Sequence, residues 1–313
     1  GEPLAEKRRE ACPTVDALTN RFCAEFGHTV VPKLAKRWRS LITIHAPKLC
    51  PMQVDKVSTA DCVACLKAAQ KTNPASAKHL RGILERVFDY AKVLGFRGDN
   101  PAIWKGHLAL AMAPLGQKPT HQPALPYKDC PDFFAKMGQD MTNAKAGIRF
   151  LMLTAARTND VAGMRWHEIA GDVWTIPAER TKNRKQFTVP LTPAALAVIA
   201  RQRVATGGEP KPEGIVFTGR FEGRPMSPHT MLRLLNDEFD SAFTVHGFRS
   251  SFRQWAAEQT DFSSEVIERC LQHSIGSEAM RAYDRSDYLE KRRAVLDAWA
   301  AYLKADQPAG NIS

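Results

Sequence analysis

No stretch of this 313-residue chain approaches the roughly 20 uninterrupted apolar residues that a membrane helix needs, so no helical span is expected. HExxH, GxxxxGK[ST] and a Gly-rich nucleotide loop are also missing, and with them the usual marks of a metalloprotease or a nucleotide-binding enzyme. The seven cysteines, at positions 12, 23, 50, 62, 65, 130 and 270, form no framework. Only Cys62 and Cys65 make a CxxC, and no second CxxC or HxxxH completes a zinc site, so these read as buried or idle thiols of a reducing cytosol. Acid is in short supply: 33 Asp plus Glu face 44 Lys plus Arg, a formal charge of +11. That imbalance favours a polyanionic partner, nucleic acid before anionic membrane, over a basic but inert surface. The opening GEPLAEKRREACPTV lacks a signal-peptide core and an initiator Met, so the chain is expected to begin inside a longer protein or to carry an artificial start.

What is present is mostly helical in pattern. In SAKHLRGILERVFDYAKVLGF, Leu80, Ile83, Leu84, Val87, Phe88, Ala91 and Leu94 repeat on one helical face, with Lys78, Arg81, Arg86 and Lys92 off it. Gly95 and then GDNP stop that helix, and segments near 14–26, 33–45 and 58–70 share the pattern. PLGQKPTHQPALP at 114–126, with four prolines and no periodicity, reads as a linker. Beyond it the period changes once: GDVWTIP and QFTVPLT flank AERTKNRK and predict a β-hairpin or small antiparallel sheet with Lys182, Arg184 and Lys185 at its tip. Helices are expected again over 193–204, 228–239, 247–258, 263–271, 276–283 and 287–304. The fold class is therefore mainly α with a small antiparallel β-sheet, divided as 1–113, 114–126 and 127–313.

In TVHGFRSSFRQW, Phe248, Phe252 and Trp255 mark an apolar helix face, and His246 and Arg249 lie three apart beside it. Two donors aimed one way with no acid between them suit an anion. Arg157, Lys182, His273 and Tyr283 are further candidates, each with a plain structural explanation when taken alone. The acidic run Asp237, Glu238 and Asp240 reads as a solvated helix end.

The succession Arg, Lys, HxxR, His, Tyr, with Asp160 three residues after Arg157, resembles the tyrosine recombinase family of DNA integrases, and its prophage and genomic-island group in particular. TVHGFRSSFRQWAAEQT, WTIPAERTKNRKQFTVPL and RAYDRSDYLEKRRAVLDAWAAYL carry the likeness, which extends from KRWRSL at 37–42 to the end. Gln272, where the group often has a small residue, and Asp160, where Glu is commoner, are the departures.

The resemblance implies a two-domain C-shaped clamp: an all-α core-DNA-binding domain, a linker, and a catalytic domain ending in a C-terminal helix. It implies that Arg157 and Arg249 grip a scissile phosphate, that Lys182 protonates the leaving oxygen, that His246 and His273 serve proton transfer and hydrogen bonding, and that Tyr283 is the nucleophile. Neither metal nor cofactor is expected. Lys78, Arg81, Lys182 and Arg184 are the expected DNA contacts. The implied partners are double-stranded DNA attachment sites and three further copies on paired sites, with a directionality factor and a host DNA-bending protein as accessories and a cytoplasmic, nucleoid-associated location. The stripe Leu289, Leu296, Trp299 and Leu303 either packs in its own domain or passes to the next copy, and an N-terminal arm-binding domain is expected to have been lost. A type IB topoisomerase and a DNA-binding regulator without catalysis are the alternative readings.

Overall fold

The computed structural model describes residues 11–30, 32–115, 123–138, 142–181, 183–219, 223–239, 242–273 and 287–305. The chain divides into two compact units, Gly1–Thr120 and His121–Ser313.

The first unit is helical: α1 (Val15–Phe26), α2 (Pro32–His45), α3 (Thr59–Thr72), α4 (Pro74–Val93) and a single turn, α5 (Ala109–Ala111). Local chemistry sets the boundaries. Ser58 and Asp61 form a reciprocal capping box at the start of α3, and Asn73 with Pro74 in the first turn opens α4. Gly95, at φ +76°, lies just past the end of α4 in the left-handed region that favours glycine. The stripe read from the sequence faces inward: Leu80, Ile83, Leu84, Val87, Phe88 and Ala91 are all buried, together with Leu18, Ile42 and Leu66. Each such large side chain contributes about 1.5–3 kcal/mol by leaving water. Cys62 and Cys65 lie along this core as free thiols, pushed up to about 12 and about 11 chiefly by burial.

The second unit contains α6 (Cys130–Lys136), α7 (Asn143–Thr154), α8 (Thr158–Ala162), α9 (Pro193–Ala205), α10 (Pro228–Phe239), α11 (Gly247–Gln259), α12 (Ser264–Cys270) and α13 (Leu289–Lys304). Between α8 and α9 runs a three-stranded antiparallel sheet in the order β1 (Ile169–Ala170), β2 (Val173–Ile176), β3 (Phe187–Pro190). Trp174 pairs with Val189 and Ile176 with Phe187, and the alternation buries Trp174, Ile176 and Val189 on one face. The expected helix at 276–283 and the residues Lys182, Asp240 and Tyr283 lie outside the described residues.

Two features position the site. Of the stretch expected as linker, residues 123–126 are bonded to the region of α11: Thr244 N–H donates to Pro123 O at 3.0 Å, and the Ser251 hydroxyl donates to Leu125 O. A Cβ on Gly247 would lie 2.3 Å from Pro123 O, so the first residue of α11 must be glycine for this approach. The stripe of α13 is spent inside its own unit: Leu296, Trp299 and Leu303 are buried, and the Trp299 indole donates to Met152 O at 2.7 Å. Arg292, one turn before Leu296 on the same face of α13, donates to Thr188 O and covers the edge of β3.

Candidate active site

Four of the six residues expected at the reacting centre are described, and the fold gathers them from three places. Arg157 caps α8, His246 and Arg249 open α11, and His273 follows α12. Their convergence depends on two left-handed non-glycine residues. Ala155, at φ 49°, ends α7 and turns its carbonyl onto Arg249 Nη1 at 2.5 Å. Gln272, at φ 54°, closes α12 in a Schellman turn: its N–H donates to Arg269 O at 3.0 Å and the His273 N–H to Glu268 O at 3.0 Å. That turn aims Leu271 O at Arg249 Nη2, 2.5 Å, and Gln272 O at Arg157 Nη2, 3.0 Å.

Both guanidinium groups are therefore oriented by neutral main-chain carbonyls. Among the described residues neither is ion-paired with a carboxylate, so their charge is held in place without being cancelled. Arg249 is 4% exposed and lowered to about 10, first by burial and then by the charge of Arg157. Arg157 is lowered by burial, against the pull of Asp160. His246 is held below the ordinary histidine value by burial and then by the charges of Arg249, Arg157 and His273, which favours a neutral imidazole able to accept a proton. Asp160, 2% exposed, is raised by burial despite the charge of Arg157 and a hydrogen bond with the Gln272 side chain. Such a concentration of fixed cations in low dielectric is an anion site.

His273 lies at the rim, with Nε2 3.5 Å from Arg249 Nη2 and Nδ1 2.5 Å from Glu268 Oε2. The connection from β2 to β3, which carries Lys182, has a fastened neck. Thr181 donates to Lys185 O at 2.7 Å, and Arg180 donates to Glu168 Oε2 at 2.7 Å, an oxygen that also accepts from the Trp174 indole at 3.0 Å. Arg184 is exposed on this connection, at φ 56°. In the first unit, a groove of about 300 Å³ between α2 and α4 is lined by Arg37, Lys78, Arg81 and Arg86 beside Trp38. Lys78 is exposed there, whereas Arg81 is paired with Glu85 and lies over the Trp104 ring. Glu268 and the Glu168–Arg180 pair went unnoticed in the sequence. The only hint was an acid five residues before a histidine that ends a helix.

Comparison with known proteins follows the same division. The phage integrase family matches residues 127–290, and the phage integrase central domain matches residues 15–107. The chain belongs to the phage integrase family. It is 28% identical over 258 residues to prophage integrase IntZ of Escherichia coli strain K12, covering 81% of this chain and 62% of that protein. It is also 28% identical over 266 residues to the integrase of Enterobacteria phage P4, covering 76% and 58%. The chain thus spans about three-fifths of the length of these curated relatives. The fold is similar to that of a chain from a lambda integrase dimer bound to a core site, with a TM-score of 0.65 at 18% identity over 88% of this chain and 99% of that one. A lambda integrase tetramer bound to a Holliday junction gives a TM-score of 0.66 at 17% identity over 88% and 79%.

Proposed function

We propose that this protein is a site-specific DNA recombinase that cuts and rejoins DNA through a covalent 3′-phosphotyrosine. The observation that carries the reading is the pair Arg157 and Arg249, both oriented by carbonyls toward one region that also holds two imidazoles. A phosphodiester is an anion, and its five-coordinate transition state concentrates charge on the non-bridging oxygens. Two planar guanidinium forks, charged at any working pH, offset that charge with paired hydrogen bonds. Preorganised donors of this kind contribute about 10² to 10³ in rate each.

In this mechanism the Tyr283 oxygen attacks the phosphorus and His246 accepts the phenol proton. The bond from phosphorus to the 5′ oxygen breaks, and Lys182 supplies the proton that makes that oxygen a hydroxyl. His273 donates to a non-bridging oxygen. Because the phosphoester is conserved in the tyrosyl link, a 5′ hydroxyl from a second DNA reverses the step and joins the strands without ATP.

Residues 1–113 would then serve as the core-DNA-binding domain, 114–126 as the connection and 127–313 as the catalytic domain. Lys78, Arg81 and Arg184 would contact backbone phosphates, and each contact neutralised adds about −0.9 to the salt slope. Relatives named integrases, and likeness to a tetramer on a Holliday junction, favour joining two DNAs as a ring of four over relaxation of one. The test is a nicked suicide substrate bearing candidate attachment sites. The wild type should give a protein–DNA band of retarded mobility in the presence of chelator, and Tyr283→Phe should give none. An undiminished band with Tyr283→Phe would defeat the assignment.

A further inference from the structure

Among the described residues, Glu268 joins Asp160 as an acid that reaches the site. Glu268, on the last turn of α12, has a side chain only 19% exposed, with each oxygen engaged by a different cation-forming group. Oε2 lies 2.5 Å from His273 Nδ1, and Oε1 accepts from Arg253 Nε at 2.5 Å. The same residue binds His273 through its backbone, since its carbonyl accepts the His273 N–H in the Schellman turn. Burial opposes ionisation of Glu268, but the hydrogen bonds and charges of His273 and Arg253 outweigh it and hold the carboxyl below the usual range.

A carboxylate on one ring nitrogen of a histidine fixes which nitrogen carries the proton and how the ring is turned. We propose that Glu268 is a positioning residue for His273: it takes the Nδ1–H, turns Nε2 toward the anion site beside Arg249, and is itself held by Arg253. The groups facing His273 are then Glu268 on one edge and Arg249 on the other. With Nδ1–H given to Glu268, a ring that carries its second proton on Nε2 directs that proton at a non-bridging phosphate oxygen. Without Glu268 nothing fixes that orientation.

The inference rests on the recombinase reading, and the test separates the two. Single-turnover covalent-adduct formation on the suicide substrate is compared for wild type, Glu268→Ala, Glu268→Gln, His273→Ala and the double variant Glu268→Ala/His273→Ala. Glu268→Ala should slow the step about 10- to 100-fold, the range found when a histidine loses its orienting partner, with DNA affinity unchanged. Glu268→Gln, which still accepts from Nδ1–H, should recover part of the loss. The double variant should be no slower than His273→Ala, because Glu268 acts only through that ring. In ¹⁵N spectra of the wild type, Nδ1 of His273 should carry a proton shared with Glu268. Glu268→Ala within twofold of wild type, a double variant slowed by the product of the single effects, or an unprotonated Nδ1 in the wild type would each overturn the inference alone. Failure of the wild type to form any adduct would overturn the recombinase reading and this inference with it.

Discussion

Arg249 and Arg292 are almost equally buried, at 4% and 1% exposed, yet the second unit uses them in opposite ways. Arg292 spends its donors on the protein: Nε on Asp287 O at 2.7 Å, Nη1 on Thr188 O at 2.6 Å and Nη2 on the Thr188 hydroxyl at 3.1 Å, with the Asp287 carboxylate 3.7 Å away and the Phe187 ring beneath. It ties the start of α13 to β3. Arg249 has carbonyl partners too, but among the described residues no carboxylate closes on it, although Arg157, Asp160 and Glu268 all act on its charge from further off. Burial alone therefore marks neither function nor structure. What separates the two is the carboxylate in reach of Arg292, where Arg249 has a second guanidinium beside it.

The matched pair Arg249→Met and Arg292→Met would break this comparison if it is wrong. Arg249→Met should cost about 10² to 10³ in adduct formation per folded molecule, and some stability as well, because Ala155 O and Leu271 O lose their donor while repulsion with Arg157 is relieved. Arg292→Met takes the donor from Asp287 O and Thr188 O, for roughly 1–3 kcal/mol of stability by denaturant unfolding, with the rate per folded molecule within a fewfold of wild type. Equal losses of that rate would remove the distinction.

A smaller effect is expected at Gln272, whose left-handed backbone is unfavourable for any residue but glycine. Gln272→Gly should raise stability by about 1 kcal/mol and leave adduct formation within a fewfold, since Arg157 is held by the main-chain carbonyl. A loss of activity beyond tenfold would show that the side chain itself has a role.

The smallest signal is a titration. With His246 depressed in the folded state, its ring in the DNA-free protein should titrate below the ordinary value of 6.5, as read by NMR. The unfolded chain binds that proton more readily, so this group costs no stability above about pH 6.5 and lowers it as pH falls further. A midpoint at or above 6.5 would contradict the cationic field assigned to the site.

Much of this was legible in the sequence, for identifiable reasons. The 3.6-residue period of Leu80 to Ala91 and the alternation around Trp174 are local patterns that follow directly from burial, and Phe248, Phe252 and Trp255 are core as their spacing implies. The order of Arg157, His246, Arg249 and His273 pointed to a common site because a family likeness supplied the third dimension. Glu268 was not legible, since its side chain meets His273 only through a helix ending that uses Gln where Gly is usual. Nor could the stripe of α13 be assigned to its own core by pattern alone, because a partner's groove and the unit's own core present the same apolar demand to Leu296, Trp299 and Leu303.

The central claim is that two uncancelled guanidinium groups meet at one phosphorus. A crystal structure of the protein trapped on a suicide substrate tests it most directly. The account predicts a phosphorus bonded to the Tyr283 oxygen, with donors of Arg157 and Arg249 both within about 3 Å of its non-bridging oxygens. A phosphorus bonded elsewhere, or either guanidinium turned away onto a carboxylate, would contradict it.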